Sequence, residues 1–329
     1  FFLITFVLNF VILYFGIKGG IEKVSMIAMP VLFIIGIIIT IRVLTLGITP
    51  DTKTPYKVLD GLGFLWNPDF GALKDMKVWL AAAGQVFFTL SVGMGVIITY
   101  ASYLKEEDDV ILSGLTSTAA NELAEVIIGG SIIIPAAFAF FGQEKMIEIA
   151  KTGTFSLGFI TMPMILDKIP MTAFFSFLWF LLLFLAGITS SISMLQPAIA
   201  FFEDEFNASR KKAVFIIGIV TFIMIQPAIF FIGKGVVDEL DFWGGTFALV
   251  LFATFEVIMF SWVFGIDKAW EEAHKGAKMK VPQIYKFILK YVTPLFLVFI
   301  LVGWFVQQGI PFILMKGVEE ANKPYIIGT

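Results

Sequence analysis

The side chains best able to do chemistry lie inside long apolar runs. Gly114, Ser117, Thr118, Asn121 and Glu125 recur at spacings of three or four, so they share one face of a helix and end a polar stripe in a carboxylate. An ionised carboxylate at bilayer depth costs about 2.5–3.5 kcal/mol on insertion scales, so this face turns away from lipid and Glu125 either pairs or takes up a proton. The plainer alternative is an interhelical hydrogen-bond staple. Ala186, Thr189, Ser190, Ser193 and Pro197 share a second helical face. Their hydroxyls and freed carbonyls suit a hard monovalent cation, although Ser and Thr in membrane helices more often pack and bond back to the preceding turn. In a third run, Ser91-Val92-Gly93-Met94-Gly95 sits near the middle, where each glycine weakens a helix by about 1 kcal/mol relative to alanine. A break there needs protein or a water-filled cavity to satisfy its backbone, and unwound backbone of this kind supplies ligands for ions and small molecules. Close helix packing through small residues is the competing explanation.

Other chemistry is poorly supported. His274 is the single histidine and falls in a loop, which leaves neither a Ser-His-Asp triad within the membrane nor a His-Glu-x-x-His zinc site. Cysteine is absent, so no thiol nucleophile, disulfide framework or cysteine metal site arises. The Asp residues fall at span ends or in loops, unlike the paired aspartates of an intramembrane protease. Basic residues form short loop clusters and no long stripe, which disfavours nucleic acid as a partner.

The elements that must position these residues follow from composition. The 329 residues are 58% hydrophobic and 15% charged, and the mean hydropathy is +0.92. Soluble domains run at roughly 45–50% apolar and 25% charged. Eight spans are predicted at about residues 1–17, 25–47, 78–103, 110–141, 171–203, 210–232, 241–265 and 286–312. Together they form a single all-α transmembrane domain over residues 1–329. The longer connections are polar, with turn signals at Pro50-Asp51, Trp66-Asn67-Pro68-Asp69, Gly153, Gly158, Pro163 and Pro170; the second of them is expected to fold back into a vestibule. Arg210-Lys211-Lys212, the run Lys268, Lys275, Lys278 and Lys280, and the pair Lys18 and Lys23 fall on one side, which the positive-inside rule makes cytoplasmic. The chain opens within an apolar segment at Phe1 and stops as another begins near Pro324, so both ends are expected to be cut.

Four stretches carry a family resemblance: Gly84-Gln85-Val86-Phe87-Phe88-Thr89-Leu90-Ser91 running to Ala101-Ser102-Tyr103; Asn121-Glu122-Leu123-Ala124-Glu125; Ala186-Gly187-Ile188-Thr189-Ser190-Ser191; and Asp241-Phe242-Trp243-Gly244-Gly245-Thr246. In this order, along nearly the whole chain, they resemble the neurotransmitter:sodium symporter family, and within it the bacterial leucine-transporter branch. The resemblance implies a leucine-transporter-type inverted-repeat fold, incomplete here, with the eight spans matching family helices four to eleven. Helices one to three and most of twelve would be missing.

By the same resemblance, Thr89 and Asn121 would bind a first sodium ion, and the Ala186 carbonyl, Thr189 and Ser190 a second. Phe88, Thr89, Ser91, Met94, Ser190 and Met194 would contact substrate, with Phe88 as an aromatic lid. Met94 stands where the leucine-transporter branch has an aromatic and Met194 where it has a branched aliphatic; two flexible apolar side chains favour a hydrophobic amino acid. Glu125 matches the carboxylate of chloride-independent bacterial members, where chloride-dependent animal members have a small hydroxyl residue and a bound chloride. The resemblance therefore implies chloride independence and extends to proton counter-transport through Glu125, with Gln85 nearby. Asp241 would be the outer-gate acid, and Asp204, with Tyr103, would belong to the inner gate.

The implied activity is sodium-coupled symport of an amino acid, with no enzymatic step and no organic cofactor. Sodium ions, a small-molecule substrate and the lipid bilayer are the partners, a homodimer is compatible, and the location is the cell membrane, specifically a prokaryotic inner membrane. Because helix one would complete both sodium sites, this stretch alone is expected to be inactive. The alternative is a non-transporting membrane binding or scaffold protein.

Overall fold

A computed structural model of the chain describes residues 1–46, 57–150, 157–313, 315 and 323. The turn signals at Pro50-Asp51 and Gly153 and the apolar run after Pro324 lie outside the described residues. All regular structure among the described residues is helical. This is the arrangement that lets an apolar chain satisfy its own backbone in lipid.

In chain order the principal helices are α1 (Phe2–Tyr14), α2 (Ile17–Leu44), α3 (Val58–Trp66), α4 (Met76–Thr89), α5 (Val96–Ala101), α6 (Val110–Phe141), α7 (Gln143–Ala150), α8 (Leu157–Leu166), α9 (Thr172–Glu205), α10 (Arg210–Phe230), α11 (Val236–Val263), α12 (Ile266–His274) and α13 (Ile284–Gly309). Six of them, α2, α6, α9, α10, α11 and α13, are long and apolar enough to cross a membrane. Helix α1 has 13 residues, short of the roughly 20 that a perpendicular crossing takes. The run read from sequence as one span over 78–103 is divided into α4 and α5.

The chain forms two compact units, one of Phe1–Asp69 with Ala119–Ser193 and the other of Phe70–Thr118 with Met194–Thr329. In the first, Ile35, Ile39, Val58, Phe138, Met162 and Trp179 belong to one buried apolar cluster. A side chain at Gly61 would stand 2.6 Å from Pro135 Cα, so α3 can lie on the end of α6 only because that position is glycine. Within α6 the helix widens to a π turn over Leu123–Gly129, where Gly130 N–H reaches the Glu125 carbonyl at 2.9 Å. Thr40 of α2 donates its hydroxyl to the Ile128 carbonyl at 3.3 Å, serving a carbonyl inside the widened turn.

In the second unit, Met76, Leu80, Val250, Leu297, Ile300 and Trp304 are buried between α4, α11 and α13. Asp75 caps α4 by accepting from Lys77 N–H at 2.9 Å and accepts from Gln308 Nε2 at 2.7 Å. Gln307 Oε1 accepts the Met76 N–H at 3.0 Å. The start of α4 is thereby pinned to α13 by two side chains, so its far end can be held in an irregular geometry without losing its place.

Candidate functional site

Helix α4 ends at Thr89, and the five residues after Leu90 are not helical. The Val92 N–H still reaches back to Phe87 O at 2.9 Å, after which the chain turns at Ser91 (φ 56°), Gly93 (φ 79°) and Gly95 (φ 74°). Two of these three left-handed positions are glycine, as sterics require; Ser91 holds one at a cost of roughly 1–2 kcal/mol. Helix α5 restarts where the Thr99 N–H bonds the Gly95 carbonyl at 2.9 Å. The break expected from the two glycines is therefore present.

Helix α11 holds the break in place. A Cβ at Gly93 would lie 2.8 Å from Leu249 O and 3.1 Å from Ala253 N, so the unwound backbone rests directly on that helix. The Gly93 N–H donates to Glu256 Oε2 at 3.1 Å. A freed donor at membrane depth needs such an acceptor. Glu256 was missed in the sequence reading, although an acidic residue inside the apolar run 241–265 is itself a functional signal by the rule that singled out Glu125. Farther along, a Cβ at Gly84 would lie 2.9 Å from Thr246 Cγ2, so α4 and α11 approach closely above the break as well.

A cavity of about 540 Å³ opens beside the break, lined by Phe88, Met94, Met194, Val237, Asp241 and Leu249, among others. Four residues assigned from sequence, Phe88, Met94, Met194 and Asp241, therefore share one chamber. Its walls are apolar apart from the Asp241 carboxyl, which stands at the start of a π turn over Asp241–Phe247. The Gly244-Gly245 pair also lines the chamber. Thr89 closes α4 and Gln85 lies one turn before it in the same helix. Ser91 lies within the break itself.

The first unit carries the other assigned residues. Asn121 lies one residue before the end of the regular part of α6, and Glu125 falls inside the π turn. In α9, Thr189 Oγ1 lies 2.8 Å from Leu185 O and 3.1 Å from Ala186 O. The hydroxyl is thus back-bonded to the preceding turn, shared between the two carbonyls, as in an ordinary packing role. Ser190 follows it and is exposed, and Ser191 donates to Asn9 Oδ1 at 2.5 Å, joining α1 to this turn.

The residues assigned to the inner gate, Tyr103 and Asp204, lie next to an ion pair. Arg210 pairs with Glu203 at 3.3 Å and donates to the buried Gln196 at 3.0 Å. Gln196 Nε2 in turn stands 3.5 Å from the Tyr103 hydroxyl. Tyr103 is joined to this network, while Asp204 is exposed beside it. Among the described residues no cluster of three or more His, Cys, Asp or Glu could hold a metal ion.

The family model described as the sodium:neurotransmitter symporter family matches residues 2–312. An uncharacterized sodium-dependent transporter of Methanocaldococcus jannaschii is 32% identical over 289 residues, covering 87% of this chain and 56% of that protein. The sodium- and chloride-dependent glycine transporter 2 of Xenopus laevis is 26% identical over 314 residues, covering 87% of this chain and 40% of that protein. The crystal structure of MhsT in complex with L-phenylalanine matches with a TM-score of 0.77 at 28% identity, covering 91% of this chain and 66% of that one. The chain thus spans about half the length of the curated relatives it matches.

Proposed function

Because the chain belongs to the sodium:neurotransmitter symporter family, we propose that its protein couples downhill sodium entry to uptake of a hydrophobic amino acid across the cell membrane. The observation that carries this reading is the apolar chamber of about 540 Å³ against the unwound turn, with Phe88, Met94 and Met194 among its walls. That volume falls in the range of small-molecule sites, and the apolar lining favours an apolar side chain. The adjoining break leaves backbone groups outside regular helical pairing, as binding a charged amino acid head group requires. The MhsT complex holds L-phenylalanine, which agrees with this substrate class.

Asn121 and Thr89 are assigned to one sodium ion, and the Ala186 carbonyl, Thr189 and Ser190 to the other. Sodium binding favours the loaded state only to the extent that it binds that state more tightly, which is how the ion gradient drives the cycle. Phe88 closes over the substrate, Asp241 belongs to the outer gate, and Tyr103 and Asp204 to the inner one. Glu125 supplies the negative charge beside the sodium site, which makes the protein chloride-independent, and its protonation on the return step moves a proton outward. The lysine-bearing loops face the cytoplasm, and in a prokaryote the membrane is the inner one.

Uptake of labelled phenylalanine and leucine into proteoliposomes of the complete gene product tests this directly. Uptake is expected to need sodium and to be unchanged when gluconate replaces chloride. Glu125→Ser should make uptake chloride-dependent, with activity at least about tenfold lower in gluconate, because no fixed charge then balances the bound cation. An unaltered protein that needs chloride, or a Glu125→Ser variant indifferent to it, would remove Glu125 from this role.

A further inference from the structure

Below the break, α5 runs only from Val96 to Ala101 before the chain loops to the start of α6. That loop is fastened to a segment far away in sequence. Asp109 caps α6 by accepting the Leu112 N–H on Oδ1 at 2.9 Å, and its Oδ2 accepts the Lys278 N–H at 2.8 Å. A side chain at Gly276 would stand 2.4 Å from Asp108 O and 2.8 Å from Glu107 O, so the two backbones touch and only glycine permits it. Asp108 steadies the same loop by accepting the Lys105 N–H at 2.8 Å. Lys275 stands 3.9 Å from Glu106, a solvent-screened pair that adds little. The Leu112 and Lys278 N–H groups hold the Asp109 carboxyl below the usual carboxylate range. The charged form therefore keeps both bonds above the ordinary carboxylate pKa and loses them only as pH falls through the lowered value.

Behind this fastening lies a cavity of about 340 Å³, walled by Ala101 at the end of α5, Leu104 after it, Phe260 and Phe264 at the end of α11, Ala269 and Ala273 of α12, and the charged residues of the two loops. Helix α12 is amphipathic, with Ile266 and Ala269 as its buried residues. The cavity therefore sits directly beneath the half-helix that continues from the ligand chamber, and the loop pair 105–109 and 276–278 spans it.

We propose that the Asp109–Lys278 and Asp108–Gly276 contacts form a clasp that closes this lower cavity and must release before substrate and sodium can leave past α5. This rests on the transport reading above. The two loops lie 169 residues apart in sequence, so the clasp couples the end of the broken helix to the α12 segment through backbone groups. It acts without either loop touching the ligand.

These 329 residues contain no cysteine, so a single reporter placed among them competes with no thiol of this stretch, and any cysteine elsewhere in the complete gene product is first replaced by serine. Ala269 is 2% exposed inside the cavity, and Ala269→Cys in the membrane-embedded complete gene product would be labelled with a membrane-impermeant maleimide. Adding Gly276→Ala, which leaves the Asp109 cap on α6 intact, is expected to speed labelling about tenfold, and Asp109→Ala to do at least as much. Should Asp109→Ala fail to fold, Gly276→Ala decides alone. Ile199→Cys, fully buried outside the clasp, should stay unlabelled in each background. Unchanged labelling of Ala269→Cys with Gly276→Ala would overturn the clasp, and so would equal acceleration at Ile199→Cys, which signals general loosening. Sodium-dependent phenylalanine binding measured on the same unaltered protein reports on the transport reading separately, because the labelling contrast does not depend on its outcome.

Discussion

Replacing Glu256 by alanine is expected to weaken ligand binding by roughly 5-fold or more, the effect of leaving one part-buried donor without its partner at about 1 kcal/mol, the low end of the range for a buried one. The donor is the Gly93 N–H, which has Glu256 Oε2 at 3.1 Å in a segment released from helical pairing. Glu256→Gln keeps an acceptor of the same reach and should stay within a few-fold of the unaltered protein. Gly93→Ala attacks the same contact from the other side. Its Cβ would enter at 2.8 Å from the Leu249 carbonyl at a φ of +79°, so either the break or α11 must move. Leu249 lines the chamber beside the break, and the displacement therefore reaches its wall. Phenylalanine binding and thermal denaturation in detergent would be read together. Full affinity in both Glu256→Ala and Gly93→Ala would mean that the break is held by something other than α11.

The second large effect is expected at Thr189. Thr189→Val keeps the shape of the side chain while deleting an oxygen that lies 3.1 Å from the Ala186 carbonyl. If these oxygens share a sodium ion, the concentration of sodium for half-maximal binding should rise about tenfold, in line with one lost ligand contact to a charged group. Thr189→Ser keeps the hydroxyl and should be close to unaltered. The back-bond to Leu185 O at 2.8 Å has the same geometry in a purely packing role. A Thr189→Val protein with unchanged sodium response would therefore assign this threonine to packing alone.

Much of this architecture was legible in the chain. Long apolar runs in a sequence that is 58% hydrophobic forced a helical membrane protein, and the match to MhsT has the leucine-transporter-type fold that the motifs around Thr89, Asn121, Thr189 and Asp241 implied. The break at Ser91–Gly95 was legible because glycine spacing is a local signal. Its fixture on α11 was not, since Gly93 and Glu256 are 163 residues apart and nothing local relates them. The π turns escaped for a similar reason. The widening at Leu123–Gly129 has no side-chain signature of its own and shows only in the bond from Gly130 to the Glu125 carbonyl.

Sodium-dependent binding tests the central claim most directly. Labelled L-phenylalanine would be titrated onto the purified complete gene product in sodium and in potassium, with Asn121→Ala beside it. Saturable binding in sodium alone, lost in Asn121→Ala, is the expected result. Binding that is equal in potassium, or that survives the loss of Asn121 unchanged, would contradict a sodium-coupled amino-acid site built on these residues.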